Sequence, residues 1–130
     1  MKYLGIDFGL KKVGIAVSEG ALAEPFRVIR YKDINTLIGQ LIKIIKEEEI
    51  EKVVVGVSEG EMGRKSKEFG LSLKKVIDLS VENYDETLST WEAQKLSIEG
   101  GVGRKKRHQF EDAFAASLVL QSYLDNKKNV

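Results

Sequence analysis

The 130-residue sequence contains no cysteine, one histidine and one proline. Without cysteine it has no disulfide framework, no thiolate metal site and no cysteine nucleophile. The single histidine, His108, excludes a metal site built on several imidazoles. The apolar runs are too short to span a bilayer, and Met1 leads directly into a strand-like segment with no signal peptide. These absences predict a cytoplasmic protein without a membrane segment.

The charge that is present sums to almost nothing, because 21 basic residues face 20 acidic ones. It is nevertheless segregated: residues 47–51 read EEEIE, whereas residues 104–107 read RKKR. A chain of this length can bury roughly two-thirds of its unfolded surface, so it can fold without disulfides or a structural metal. With no linker, repeat or low-complexity segment, we expect one domain over residues 1–130.

The pattern of apolar residues predicts an α/β fold. Short β-rich segments occur at residues 2–8, 12–18, 26–31, 52–57 and 81–84, the third of them entered after Pro25. Helical spacing occurs at residues 35–49, with Asp33 as the cap, and after the loop 58–65, where Phe69, Leu73, Val76 and Ile77 lie on one side. A third helix is predicted to open at Ser89 and to end before Gly100, and a fourth covers residues 110–124. Tight turns predict that the first three strands are antiparallel, and the later strands, each reached through a helix, should be parallel to their neighbours.

Three acidic positions could carry chemistry. Asp7 ends an apolar first strand, Asp85-Glu86 follow the fifth strand, and Asp112 opens the last helix. Ligands of open α/β sheets bind at the carboxyl ends of the strands. Each acid also has an ordinary explanation: Asp7 as a turn cap, and the others as acids that favour a helix amino terminus. Together, however, carboxylates of this kind bind hard cations such as Mg²⁺ or Mn²⁺.

Basic residues stand near the same positions. The segment GGVGRKKRHQ contains Arg104, Lys105, Lys106 and Arg107 directly before the last helix, and Arg64 and Lys65 follow the fourth strand. Such cations can bind the phosphates of nucleic acid, although charge runs are usually solvated loops. Lys11 and Lys12 could belong to the same surface or be ordinary turn residues.

Four segments together resemble the YqgF family of RuvX-like Holliday junction resolvases and pre-16S rRNA nucleases. They are LGIDFGLKKVGIAVS, VVVGVSEGEMG, YDETLST and KKRHQFEDAFAASLVLQSYL, and they run from Met1 to about Asp125. The resemblance implies a ribonuclease-H-like fold, a mixed five-stranded sheet of order 3-2-1-4-5 with strand 2 antiparallel and helices on both faces.

The same resemblance implies catalytic and metal-binding roles for three residues. Asp7 takes the place of the family's first-strand acid, Glu86 that of the glutamate in its D-E-R motif, and Asp112 that of its last-helix aspartate. Asp85, next to Glu86, is a weaker candidate. Glu59 is another, because related resolvases of the RuvC type carry an acid after the fourth strand.

The chain departs from the family pattern at two places. Thr87 stands where the family usually has arginine, and Ser58-Glu59 stand where it usually has Leu-Pro. These departures bear on the second acid and on catalytic strength more than on the fold.

The sequence therefore predicts a Mg²⁺- or Mn²⁺-dependent nuclease that hydrolyses structured nucleic acid, with maturation of the pre-16S rRNA end as the leading function. Cleavage of branched DNA by a Holliday junction resolvase is the alternative. A binding module without cleavage, as in the related domains of Tex proteins, and a small nucleotide-binding domain are further alternatives. Both a monomer and a homodimer remain compatible with the sequence.

Overall fold

The structure, a computed structural model, describes residues 1–85 and 111–128. Three features predicted from the sequence lie outside these ranges: Glu86 with its neighbour Thr87, the helix beginning at Ser89, and the basic residues 104–107.

A five-stranded mixed sheet forms the centre of the fold. Its strands are β1 (Lys2–Phe8), β2 (Lys12–Glu19), β3 (Leu22–Arg30), β4 (Lys52–Val57) and β5 (Ser80–Asp85). Their order is β3-β2-β1-β4-β5. The pairs β1–β2 and β2–β3 are antiparallel, whereas β1–β4 and β4–β5 are parallel. The strand order and directions predicted from the sequence are confirmed.

Strand β3 begins earlier than the sequence analysis predicted. It starts at Leu22, so Pro25 lies inside the strand, where it pairs with Ala16. The register of β2 against β3 shifts between Ile15 and Ala16. Proline has no amide hydrogen to donate to a ladder, and it is therefore tolerated at a bulge and on a strand at the edge of a sheet. The prediction that the strand starts after Pro25 is wrong because β3 meets both conditions.

Three helices are described: α1 (Ile34–Glu47), α2 (Gly60–Val76) and α3 (Glu111–Lys128). Asp33 caps α1 as predicted, since its carboxylate accepts a hydrogen bond from the amide of Thr36 at 3.1 Å. The predicted apolar side of α2 is correct for Phe69 and Leu73, which are buried. It is wrong for Val76, which is 56% exposed because α2 ends there and the chain becomes extended.

The helices cover the two faces of the sheet with different side chains. One face packs against α1 and α2 through large aliphatic and aromatic residues, among them Leu4, Ile6, Phe8, Val13, Ile15, Leu37, Leu41, Val53, Val55, Phe69 and Leu73. The other face packs against α3 through Tyr3, Ala16, Val54, Ala116, Val119, Leu120, Tyr123 and Leu124. No helix within the described ranges is long and apolar enough to cross a membrane.

Candidate active site

Asp7 lies near the carboxyl end of β1, on the face of the sheet that α3 covers. Side chains alternate along a strand, and Tyr3 and Gly5, which share the orientation of Asp7, both contact α3. The residues paired with Asp7 on either side are glycines, Gly14 in β2 and Gly56 in β4. The half-buried carboxylate therefore stands in a notch without side chains from its two neighbours in the sheet.

The first turn of α3 rests on the same point of the sheet. The carbonyl oxygen of Asp112 lies 1.9 Å from the position that a Cβ atom on Gly14 would occupy. Gly14 is also the residue paired with Asp7, at a Cα separation of about 4.5–5.5 Å for antiparallel neighbours. Gly14 therefore lies between the two elements, paired with Asp7 on β1 and in contact with the backbone of Asp112 at the start of α3. The amino terminus of a helix also carries partial positive charge, which favours carboxylates there.

Lys12 holds the carboxylate of Asp112. Its Nζ atom lies 3.0 Å from Oδ2 of Asp112, and the two side chains are 44% and 30% exposed. Lys12 precedes Gly14 by two residues in β2 and therefore points to the same face of the sheet. The ion pair directs this carboxylate toward Lys12, and it offsets part of the negative charge of Asp112.

The two weaker acidic candidates lie on other elements, Asp85 on β5 and Glu59 between β4 and α2. Asp85 shares the alternation of Val81 and Asn83, both of which contact Gly70 of α2, so it belongs to the face opposite Asp7. Glu59 directly precedes α2, and its exposed side chain makes no capping hydrogen bond. It follows the carboxyl end of β4.

The described residues by themselves do not form a metal site. Among residues 1–85 and 111–128, no three acidic or histidine side chains are grouped closely enough to hold a metal ion. Asp7 and Asp112 do provide carboxylate oxygens, the donors that Mg²⁺ and Mn²⁺ prefer. A third ligand would have to come from another part of the chain, and Glu86 lies outside the described residues.

The basic residues predicted after β4 lie on the first turns of α2. Arg64 is exposed and Lys65 is half-buried. Helix α2 follows the carboxyl end of β4, and β4 is parallel to β1. These two cations therefore lie toward the carboxyl ends of β1 and β4, where Asp7 is found.

Sequence reasoning missed the role of Gly14 and treated Lys12 as an optional turn residue. A signal was present, because a glycine inside a strand often marks the close approach of another backbone. Its partner could not be named from the sequence, since Asp112 is 98 positions away.

A cavity of about 370 Å³ lies elsewhere, at the amino end of β1. Its lining includes Met1, Tyr3 and Leu124. Asp7 stands near the opposite end of the same strand, so the cavity is not part of the candidate site.

A mixed sheet of this order, with helices on both faces, is the ribonuclease-H-like fold. Within that fold class, residues 1–126 match the family model described as "RuvX: Holliday junction resolvase". The chain belongs to this family. The resemblance drawn from the sequence is therefore confirmed, and with it the prediction of a nuclease.

Relatives of known name agree over the whole length. A protein of Caldanaerobacter subterraneus is 38% identical, with 99% of each chain covered, and one of Oceanobacillus iheyensis is 36% identical, with 98% of this chain and 100% of the relative covered. Both carry the name "Putative pre-16S rRNA nuclease".

Solved structures of junction resolvases share the fold. RuvC of T. thermophilus, in complex with a Holliday junction substrate, superimposes with a TM-score of 0.67 at 15% identity, covering 100% of this chain and 97% of RuvC. The fowlpox virus Holliday junction resolvase gives a TM-score of 0.63 at 12% identity, with 98% and 99% covered. At these identities the likeness concerns the fold, and the predicted ribonuclease-H-like architecture is confirmed.

Proposed function

We propose that the protein is a metal-dependent nuclease whose site is built on Asp7 and Asp112, with Glu86 as the third acid. The observation that carries the proposal is the double contact of Gly14. This residue pairs with Asp7 in the sheet and touches the backbone of Asp112 at the start of α3. This contact supports a site shared by two acidic residues that are far apart in the sequence.

Each described residue has a definite task in this reaction. Asp7 presents its carboxylate from the centre of the sheet, and Asp112 presents a second one from a helix start that Gly14 allows to come close. Lys12 orients the carboxylate of Asp112. Bound Mg²⁺ or Mn²⁺ supplies charge stabilisation at the attacking and leaving oxygens of a phosphodiester. Arg64, Lys65 and residues 104–107 are proposed to hold the nucleic-acid backbone without reading its bases.

The proposed substrate is the end of precursor 16S rRNA, which makes the protein a factor of ribosome biogenesis in the cytoplasm. The names of the full-length relatives support this choice. Branched DNA is the second candidate, supported by the description of the family. A symmetric cut across a junction needs a homodimer, whereas cleavage of an RNA end needs only a monomer.

Cleavage by matched aspartate variants tests the nuclease. The protein is incubated with a labelled precursor-rRNA end and with a four-way DNA junction, each with Mg²⁺ or Mn²⁺. We expect Asp7→Asn and Asp112→Asn to lower the cleavage rate by at least about 100-fold, the scale on which a misplaced catalytic group acts. Asp78→Asn is the control. Asp78 is exposed and precedes the amino end of β5, so it lies toward the other ends of the strands from Asp7.

The two substrates separate the two candidate functions. Cleavage of RNA alone supports rRNA processing, and cleavage of the junction alone supports a resolvase. Tight binding of either substrate by the unmodified protein without any cleavage would contradict the nuclease and favour a binding module.

A further inference from the structure

The antiparallel ribbon formed by β2 and β3 separates its charges along its length. At the end near the start of α3 the residues from Lys11 to Lys12 and from Arg27 to Lys32 include five cations and no acid, namely Lys11, Lys12, Arg27, Arg30 and Lys32. The next residue, Asp33, caps α1. At the other end it carries Glu19 and Glu24. Six residues separate Glu24 from Arg30, which corresponds to about 20 Å of strand. The cationic end is the one that adjoins the candidate site.

Two of these cations stand directly opposite each other. Lys12 pairs with Arg30 across β2 and β3, and paired residues point to the same face of a sheet. Like charges at such positions destabilise a sheet unless an anion offsets them. Asp112 offsets Lys12. Arg30 is exposed and makes no ion pair within the part of the chain that the structure describes.

The turn between β1 and β2 is tied to the end of β3. The amide of Tyr31 donates a hydrogen bond to the carbonyl of Lys11 at 3.1 Å, and its hydroxyl donates another to the carbonyl of Gly9. Lys11 and Lys32, which flank this junction, are both exposed. These bonds therefore hold the backbone at Lys11 beside the backbone at Tyr31, whose neighbours in the chain are Arg30 and Lys32.

We propose that Arg30, together with Lys11 and Lys32, forms a second binding site for the phosphates of the nucleic acid, on the β3 side of Asp7. The cations of α2 lie on the other side of β1 from Arg30, because α2 packs on β4 and β5, and they belong to the opposite face of the sheet. A strand bound by both groups would therefore cross the sheet at the carboxyl ends of β1 and β4, beside Asp7. The guanidinium of Arg30 matches a phosphate with two parallel N–H donors. The inference rests on the proposed function, because it concerns the substrate of the same site.

Binding without cleavage tests this second site. The anisotropy of a fluorescein-labelled RNA hairpin is followed in a salt series, with no divalent metal added. We expect Arg30→Gln to reduce the slope of log K against log salt by about 1, as the loss of one phosphate contact does. We expect Arg30→Glu to weaken binding on the order of 10-fold near 0.1 M salt. Lys74→Gln and Lys74→Glu are matched controls on the exposed end of α2, and they should bind as the unmodified protein does.

Equal binding by the Arg30 variants and their Lys74 controls would overturn the inference, even if the protein cleaves RNA. Loss of binding only in the Arg30 variants supports it, even if the unmodified protein cleaves nothing and the nuclease proposal fails. Circular dichroism checks folding. If the Arg30→Glu variant does not fold, a double variant with Arg30→Gln and Lys32→Gln carries the same test. We expect it to reduce the slope of log K against log salt by about 2.

Discussion

The two faces of the sheet present different kinds of residue to the helices that cover them. Toward α1 and α2 the sheet presents large side chains such as Leu4 and Ile6, which are fully buried together with Leu41 of α1. Toward α3 it presents glycine at the points of closest contact. A Cβ atom on Gly5 would lie 2.9 Å from Cβ of Leu120, and one on Gly14 would overlap the backbone of Asp112.

Both faces bury apolar side chains, but only toward α3 does the sheet itself present glycines at close contacts with a helix. Aliphatic side chains stabilise a fold in proportion to the apolar area they bury, roughly 25 cal/mol per Å². Glycine buries no side chain and loses more backbone freedom on folding than other residues do. Gly14 therefore contributes less to the stability of the fold than a larger residue would. Its missing side chain allows the backbone of Asp112 to contact the strand that pairs with Asp7.

The largest loss of stability is expected on the aliphatic face. Leu41→Ala should lower the free energy of unfolding by about 2–5 kcal/mol, because it leaves a cavity under α1. Urea denaturation measures this change. The cleavage rate per folded molecule should stay within about twofold, since α1 contributes nothing to the acidic pair. Leu71→Ala is the control, because Leu71 is 61% exposed on α2 and its truncation should change stability by less than about 0.5 kcal/mol.

The reverse pattern is expected on the α3 face. Gly14→Ala should lower the free energy of unfolding by about 1–3 kcal/mol, as overpacking does. It should lower cleavage by about 100-fold, because the helix start must move away from the sheet. Melting curves and single-turnover cleavage measure the two effects. Gly39→Ala, in open space on α1, should instead stabilise the protein by about 0.4–1 kcal/mol. Equal activities of the two variants would refute the positioning role of the α3 face.

The smallest effect concerns an ion pair that ties β4 and β5 to α3. Nζ of Lys52 lies 2.8 Å from Oε1 of Glu82. The hydrogen bond to Lys52, then that to Tyr123, lowers the pKa of Glu82, and Lys127 adds to the effect. A lowered carboxyl pKa contributes stability above the unfolded-state value, near 4.3, and this contribution is lost as the pH falls through the folded-state value.

Glu82→Gln should therefore cost about 0.5–1 kcal/mol at pH 7, a small figure because the Glu82 side chain is 43% exposed. The difference from the unmodified protein should shrink below about pH 4. Thermal melts at a series of pH values measure it. Glu47→Gln, which breaks the exposed 3.9 Å pair with Lys43, should show little change at any pH. A constant difference from pH 7 to pH 3 would exclude the ion pair as its source.

Local signals in the sequence predicted most of the fold. The carboxylate of Asp33 and the amide that it caps are three residues apart. The β-branched run KVVVGV indicates a strand buried on both faces. The start of β3 was predicted wrongly, because Pro25 is acceptable in a strand only at an edge or a bulge. Both conditions are set by partners in the sheet, which no local pattern reveals.

The candidate site was less accessible to sequence reasoning. Asp7 and Asp112 could be selected through the family resemblance. Their relative position, however, depends on the contact of Gly14 with the backbone of Asp112, which joins two distant segments of the sequence. The assignment of Asp85 to the opposite face follows from counting along β5 once its register is known. The ion pair of Lys12 depends on where α3 begins, which local spacing does not determine.

The proline in β3 has one further consequence. An edge strand presents unpaired amides and carbonyls that another chain can join, and this is a common route to aggregation. Pro25 removes an amide from the terminal strand of the described sheet, and the register shift opposite it bends the ladder at the same place. The ribbon of β2 and β3, on which we propose the second phosphate-binding site, is thereby a poorer template for pairing with a second copy of itself.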